Sequence, residues 1–197
     1  MEVKDEVAAL LPWRRGHFRF ESGHHGDTWL NLELLCVRPE PVERLARVLA
    51  DRVAHLRADF VCGPLVEGAF VALMVARHLD VPFAYTERFD SGSDRLFSVK
   101  YALPGALREL VAGAHVLVIN DVIGAGSAVL GTLKDLHQCG AIPIGIAALA
   151  ARGPSGSVLA RENGLPFETL AAFPGDMWTP QACPMCAAGV PLADETH

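Results

Sequence analysis

The chain is 197 residues long, 51% hydrophobic and 20% charged, with 17 basic residues against 23 acidic ones and a formal net charge of −6. That length and composition describe a globular chain able to bury a sizeable core, and the acidic balance argues against a general nucleic-acid binder while leaving room for one small basic site. No apolar run approaches the roughly 20 residues of a membrane span, and the start, MEVKDEVAALLPW, lacks the basic-then-apolar layout of a secretion signal.

Residues 41–57, PVERLARVLADRVAHLR, carry Val42, Leu45, Val48, Leu49, Val53 and Leu56 at helical spacing, with Pro41 suited to a first turn. DFVCG at 59–63 is a short buried-strand candidate that ends at Gly63-Pro64. GAFVALMVARHL at 68–79 predicts a mostly buried helix, and VPFAYTE at 81–87 the next strand. A polar insertion follows. HVLVIN at 115–120 is a further strand, with a helix over about 127–138, then strands in AIPIGIAALA at 141–150 and PFETLAAF at 166–173. Strands alternating with helices predict an α/β fold with a parallel sheet covered on both faces. Ligands of such sheets bind beyond the C-terminal strand ends. The unusual loops after Cys62, Thr86, Asn120 and Ala150 all lie there.

In NDVIGAGSA, Gly124 and Gly126 let successive backbone N–H groups point inward, and the helix that follows adds its positive end. Ser127 adds a hydroxyl donor. Asp121, at the strand end, suits ribose hydroxyls or a Mg²⁺ ion held through water. CGPLVEGA at 62–69 repeats the layout and suits a second phosphate, although Glu67 is placed awkwardly for an anion and equally fits an acidic helix first turn. Residues 87–104 carry Arg88, Arg95 and Lys100, either as a loop that closes over an anionic substrate or as a solvated hairpin. GxSxG, HExxH and Walker patterns are absent from the sequence, so the residue types favour positioning of phosphates over covalent catalysis.

Cysteines stand at 36, 62, 139, 183 and 186, an odd count that suggests reduced thiols and a cytoplasmic protein. CPMC at 183–186 is the only close pair. With no second pair nearby in sequence, a plain C-terminal turn is the simpler expectation, and a zinc site would need ligands pooled from two chains. Adjacent His24 and His25 point different ways on a strand, so exposed surface histidines are expected rather than a metal pair.

Taken together, these stretches resemble the type I phosphoribosyltransferases, and among them the orotate phosphoribosyltransferases. VLVINDVIGAGSA resembles the signature for phosphoribosyl pyrophosphate (PRPP), and GHFRFESGHHGDTWLNLELL the N-terminal stretch that helps enclose the base. VCGPLVEGAFVALMVAR resembles the pyrophosphate loop and its helix, YTERFDSGSDRLFSVKYAL the strand and flexible catalytic loop, and ALAARG the region whose arginine meets orotate. The tail CPMCAAGVPL recurs in some members.

The resemblance implies one Rossmann-like phosphoribosyltransferase domain: a small N-terminal hood over about 1–40, an α/β core over about 41–173 and a tail over about 174–197. It implies that Asp121 binds the ribose hydroxyls and is the residue nearest a Mg²⁺ cofactor. The backbone of Ile123, Gly124, Ala125, Gly126 and Ser127 would hold the 5′-phosphate. Gly63, Pro64, Leu65, Val66, Glu67 and Gly68 would hold pyrophosphate, and Arg152 the orotate carboxylate. Arg95 and Lys100 would be the catalytic-loop cations, with Arg88 and His24 also at the substrate. The implied partners are PRPP, orotate and a second copy of the chain.

Four positions depart from the pattern. Asn120 replaces the first acidic residue, Gly124-Ala125 two threonines, Glu67 a loop glycine and His24 a lysine. Each lost donor to a charged group weakens binding by roughly 1.5–3 kcal/mol. His24 exchanges a permanent charge for one that titrates near neutrality. Three readings follow: an orotate enzyme, with His24 protonated when substrate binds; a phosphoribosyltransferase for another base; and a regulatory protein that binds a nucleotide or PRPP without turnover.

Overall fold

The computed structural model describes residues 2–89 and 99–193. Helix α1 (Val3–Leu10) leads into a hairpin of β1 (Trp13–Arg19) and β2 (His25–Leu30), paired antiparallel. Helix α2 (Pro39–Val53) buries Val42, Leu45, Ala46, Leu49, Ala50 and Val53, the stripe its sequence spacing predicts. It stops earlier than the expected 57 because a 3₁₀ turn takes over at Ala54–Leu56 and Arg57 turns to φ 53°.

The core follows in strict alternation: β3 (Phe60–Pro64), α3 (Glu67–Leu79) and β4 (Phe83–Phe89). Then come β5 (Lys100–Ala102), α4 (Gly105–Val111), β6 (His115–Ile123), α5 (Ser127–Gln138), β7 (Ile142–Arg152), α6 (Ser155–Glu162) and β8 (Phe167–Phe173). Strand order is β5-β4-β3-β6-β7-β8, parallel throughout except for the antiparallel edge pair β4–β5. This is the parallel-sheet α/β fold that the sequence predicts.

Apolar runs on β6 and β7 work at period two. Leu117, Ile119, Ala147 and Leu149 pack with residues of α2 and α3 on one face. Val116, Val118, Ile146 and Ala148 pack with Val129, Leu133 and Leu136 of α5 and Leu159 of α6 on the other. A strand buried on both faces reads as a continuous apolar run, which is why these two stand out in the sequence.

The N-terminal hairpin forms a separate small sheet, completed by β9 (Met177–Trp178) from the C-terminal segment, which pairs with His25 and Gly26. A short helix α7 (Pro184–Ala187) follows. The tail thus returns to the hood and covers one of its faces. That corrects the expectation of exposed histidines: His25 is 6% exposed and His24 is half-buried. Among the described residues no helix is long and apolar enough to cross a membrane.

Candidate functional site

A cavity of about 730 Å³ opens beyond the C-terminal ends of β3, β4, β6 and β7, beneath the hairpin. Loops far apart in sequence meet there because the parallel sheet sends all of its strand ends the same way.

The β6–α5 connection forms one wall. Ile123, Gly124, Ala125, Gly126 and Ser127 all line the cavity. Gly126 takes φ 84° and starts α5, a left-handed conformation that a side chain strains. No side chain caps that helix start, so its first N–H groups are available to an anion. Gly124 faces open space, where an added Cβ meets nothing within 4 Å.

Sequence reasoning missed Glu21. Its carboxylate accepts from Ser127 Oγ at 3.0 Å and from the Tyr101 hydroxyl at 2.9 and 3.0 Å, with Arg88 Nε at 3.5 Å. Burial, and then the Glu21 charge, push the Tyr101 phenol well above its ordinary range and hold it as a donor. The only sequence signal for Glu21 was its place directly before Ser22-Gly23 in the hood motif. Tyr101 gave none, because its contact spans 80 residues of sequence.

The floor carries two more acids. Asp121 is buried, and burial, with Glu67 adding to it, pushes its carboxyl up to about 7, against backbone N–H groups that favour the charged form. Asn120 has a different part from the acid it replaces. Its Nδ2 donates to the Val122 carbonyl at 3.0 Å, and its Oδ1 sits where a side chain on Gly68 would collide. The amide therefore packs the β6 end against the β3–α3 loop.

In that loop Pro64, Leu65, Val66, Glu67 and Gly68 line the cavity. The Leu65–Val66 peptide is cis, and Leu65 N–H donates to the Thr86 carbonyl at 2.9 Å. Gly63 does not line the cavity: a Cβ there would come within 2.6 Å of the Ala72 Cβ, so this glycine lets α3 approach the sheet.

Arg88 and Arg152 both line the cavity. Arg152 is 4% exposed, stacks over the Phe20 ring at 5.1 Å and donates to the Thr28 carbonyl at 2.7 Å and to Asp27 at 3.3 Å. Its buried Nε has no hydrogen-bond partner among the described residues. Two other expected residues, Lys100 and His24, stand outside the cavity lining. Lys100 is exposed on edge strand β5 and outside the cavity lining, and Arg95 lies outside the described residues. His24 is also outside the lining, with Nδ1 at 3.1 Å from Ser22 Oγ. Burial lowers its pKa, so the structure gives no support to a protonated His24 replacing the lysine charge.

A sequence profile of the phosphoribosyl transferase domain matches residues 39–161, which takes in β3 to β7 and both glycine loops but not edge strand β8. The chain belongs to the phosphoribosyltransferase family. It is therefore a glycosyltransferase by class. Among the relatives of this phosphoribosyltransferase, the orotate phosphoribosyltransferase of Wolinella succinogenes is 33% identical over 95% of this chain and 91% of its own length. That of Caldanaerobacter subterraneus subsp. tengcongensis is 29% identical, over 98% of this chain and 93% of its own length. In fold, the chain is similar to orotate phosphoribosyltransferase from Mycobacterium tuberculosis in complex with inorganic phosphate. The TM-score is 0.62 at 16% identity, over 86% of this chain and 95% of that one. Adenine phosphoribosyltransferase from Trypanosoma brucei gives 0.67 at 18% identity, over 87% of this chain and 80% of that one.

Proposed function

We propose that this phosphoribosyltransferase transfers the phosphoribosyl group of PRPP to orotate, giving orotidine 5′-monophosphate and pyrophosphate for pyrimidine nucleotide synthesis. The observation that carries the reading is the likeness to orotate phosphoribosyltransferases along nearly the whole chain, and the cavity supplies the parts the reaction needs. The uncapped start of α5 and the Gly124–Ser127 loop suit the 5′-phosphate, and the Pro64–Gly68 loop suits pyrophosphate. Asp121, at the end of β6, would bind the ribose hydroxyls, and Arg152, stacked on Phe20, would meet a planar anionic base.

In the reaction a ring nitrogen of orotate forms a bond to the anomeric carbon as the bond to the pyrophosphate oxygen breaks; pyrophosphate leaves with the electron pair, and the proton of the ring nitrogen is released to pyrophosphate or to water. The sugar passes through a cationic state and no bond to the protein is made. Positioning of two substrates and stabilisation of the departing charge supply the acceleration. Arg88, freed from Glu21, is a cation of the cavity lining that would meet that charge. Asp121 and Glu67 are the oxygen donors that would hold Mg²⁺, directly or through water, and two neighbouring carboxylates in a shielded site are a donor set that suits this hard cation. Bound Mg²⁺ would supply charge neutralisation for pyrophosphate. We propose a homodimer in the cytoplasm as the working form; the exposed Leu34 and Val37 before α2 supply an apolar patch for pairing.

Two observations favour a second reading. Glu21 holds the phosphate cradle with a carboxylate, and Asn120 removes an acid, as suits a protein that binds nucleotide or PRPP without turnover. Loss of orotate absorbance with purified protein, PRPP and Mg²⁺ tests both. Consumption that needs all three supports the orotate enzyme. PRPP binding without consumption of orotate supports the regulator, and consumption of a different base identifies another acceptor.

A further inference from the structure

The face of the hood covered by the tail holds four potential metal ligands. His17, His25, Cys183 and Cys186 present ligand atoms that all lie within 4.8 Å of one another. His17 Nε2 is 3.1 Å from His25 Nδ1, 3.3 Å from Cys183 Sγ and 3.7 Å from Cys186 Sγ, and Cys186 Sγ is 3.2 Å from His25 Nδ1. Four ligands at zinc distances of about 2.0–2.3 Å form a tetrahedron with edges of roughly 3.3–3.8 Å. These four separations, 3.1 to 3.7 Å, lie close to that range.

Local structure explains the convergence. The register of β1 against β2 shifts between Arg15 and Phe18, and this bulge puts His17 on the face of His25. Cys183 stands at the start of α7 and Cys186 one turn later, so both sulfurs share a side. His17 Nδ1 lies 2.7 Å from the Val190 carbonyl, an acceptor only, so that nitrogen carries the proton. Nε2 then offers a single lone pair to three neighbours. One hydrogen bond can use that lone pair, and the remaining polar atoms of the cluster would be left crowded and poorly matched. A metal ion satisfies all four at once, and the His17–Val190 bond is the outer contact that fixes a ligating imidazole.

We propose that His17, His25, Cys183 and Cys186 of one chain form a structural zinc site of the Cys₂His₂ type. Four protein ligands leave no open position, so the ion takes no part in the transfer reaction. It fastens the tail to the hairpin whose Phe20, Glu21 and Trp29 line the substrate cavity. The second ligand pair comes from the hairpin histidines, not from another subunit.

The test uses the full-length chain, reduced, stripped of metal with a chelator and titrated with Co²⁺. The expected result is saturation at one ion per chain, with the intense visible bands of tetrahedral cobalt and a thiolate charge-transfer band in the near ultraviolet, both abolished by added Zn²⁺. Cys186→Ser, at an exposed position, should lose part of the charge-transfer band, and His25→Ala should shift the visible bands. A reduced chain that takes up no cobalt, or takes it up with the weak spectrum of an octahedral site, overturns the assignment. So does uptake that neither substitution alters. Where a variant fails to fold, cobalt uptake and spectrum of the unsubstituted chain still decide between a tetrahedral thiolate site and none.

Discussion

Ser127 Oγ donates to Glu21 Oε1 at 3.0 Å, so a carboxylate of the hood hairpin rests against the start of α5, where the sugar phosphate is proposed to bind. A carboxylate that takes up the Ser127 hydroxyl beside the uncapped start of α5 must move aside for a ligand anion to use both. Two like charges about 4 Å apart repel by roughly 4 kcal/mol at the effective dielectric of a protein surface, and movement of the side chain relieves much of that. Glu21→Gln keeps an acceptor for Tyr101 and removes the charge. It should tighten binding of PRPP or inorganic phosphate about tenfold, roughly 1.4 kcal/mol, by calorimetric titration. Unchanged or weaker binding would show that Glu21 does not compete.

The two loop glycines should respond oppositely to substitution. Gly126→Ala places a Cβ at φ 84°, 3.3 Å from Leu159, and is expected to cost about 1–2 kcal/mol in denaturant unfolding and to weaken phosphate binding. Gly124→Thr enters open space and supplies the hydroxyl that the resemblance to the family implies there. Stability should change by less than about 0.5 kcal/mol, while PRPP affinity improves. Equal damage at both positions would contradict the cradle geometry.

Asp121 sets a pH dependence in the ligand-free protein. Its folded pKa, near 7, lies above the unfolded value of 3.8, so the folded state binds the proton more tightly. The contribution to stability is complete below about 4 and is lost as pH rises through about 7. Asp121→Asn should therefore flatten the fall in stability between pH 5 and 8, on the order of 2 kcal/mol or more, in urea unfolding across that window. An identical slope in the variant would mean that Asp121 ionises normally.

Asn120→Asp introduces the acid that the resemblance to the family implies at this position, and the structure argues that this harms the chain. The substitution removes the donor to the Val122 carbonyl and sets a second buried carboxylate next to Asp121 and near Glu67. Expected destabilisation at pH 7 is about 1–3 kcal/mol, lessened at pH 5 where the carboxylates hold protons. A variant as stable as the original at both pH values would show that the amide is dispensable.

Local patterns in the sequence determined the alternation of strands and helices, the parallel sheet, and the wall of the cavity built from Ile123 to Ser127. Those features follow from short-range periodicity and from glycines at strand ends, which any window of the chain displays. The edge pairing of β4 with β5 and the hood sheet with β9 did not show, because their strands are short and half-exposed and their pairing is non-local. Only tertiary structure could bring Glu21 to Ser127 across 106 residues, or His17 to Cys183 across 166. It also assigned Asn120 to packing and His24 to a place outside the cavity. A single residue type announces what its side chain can do; which partner it meets depends on how hairpin, sheet ends and tail fold onto one another, and that information is spread over contacts no local window contains.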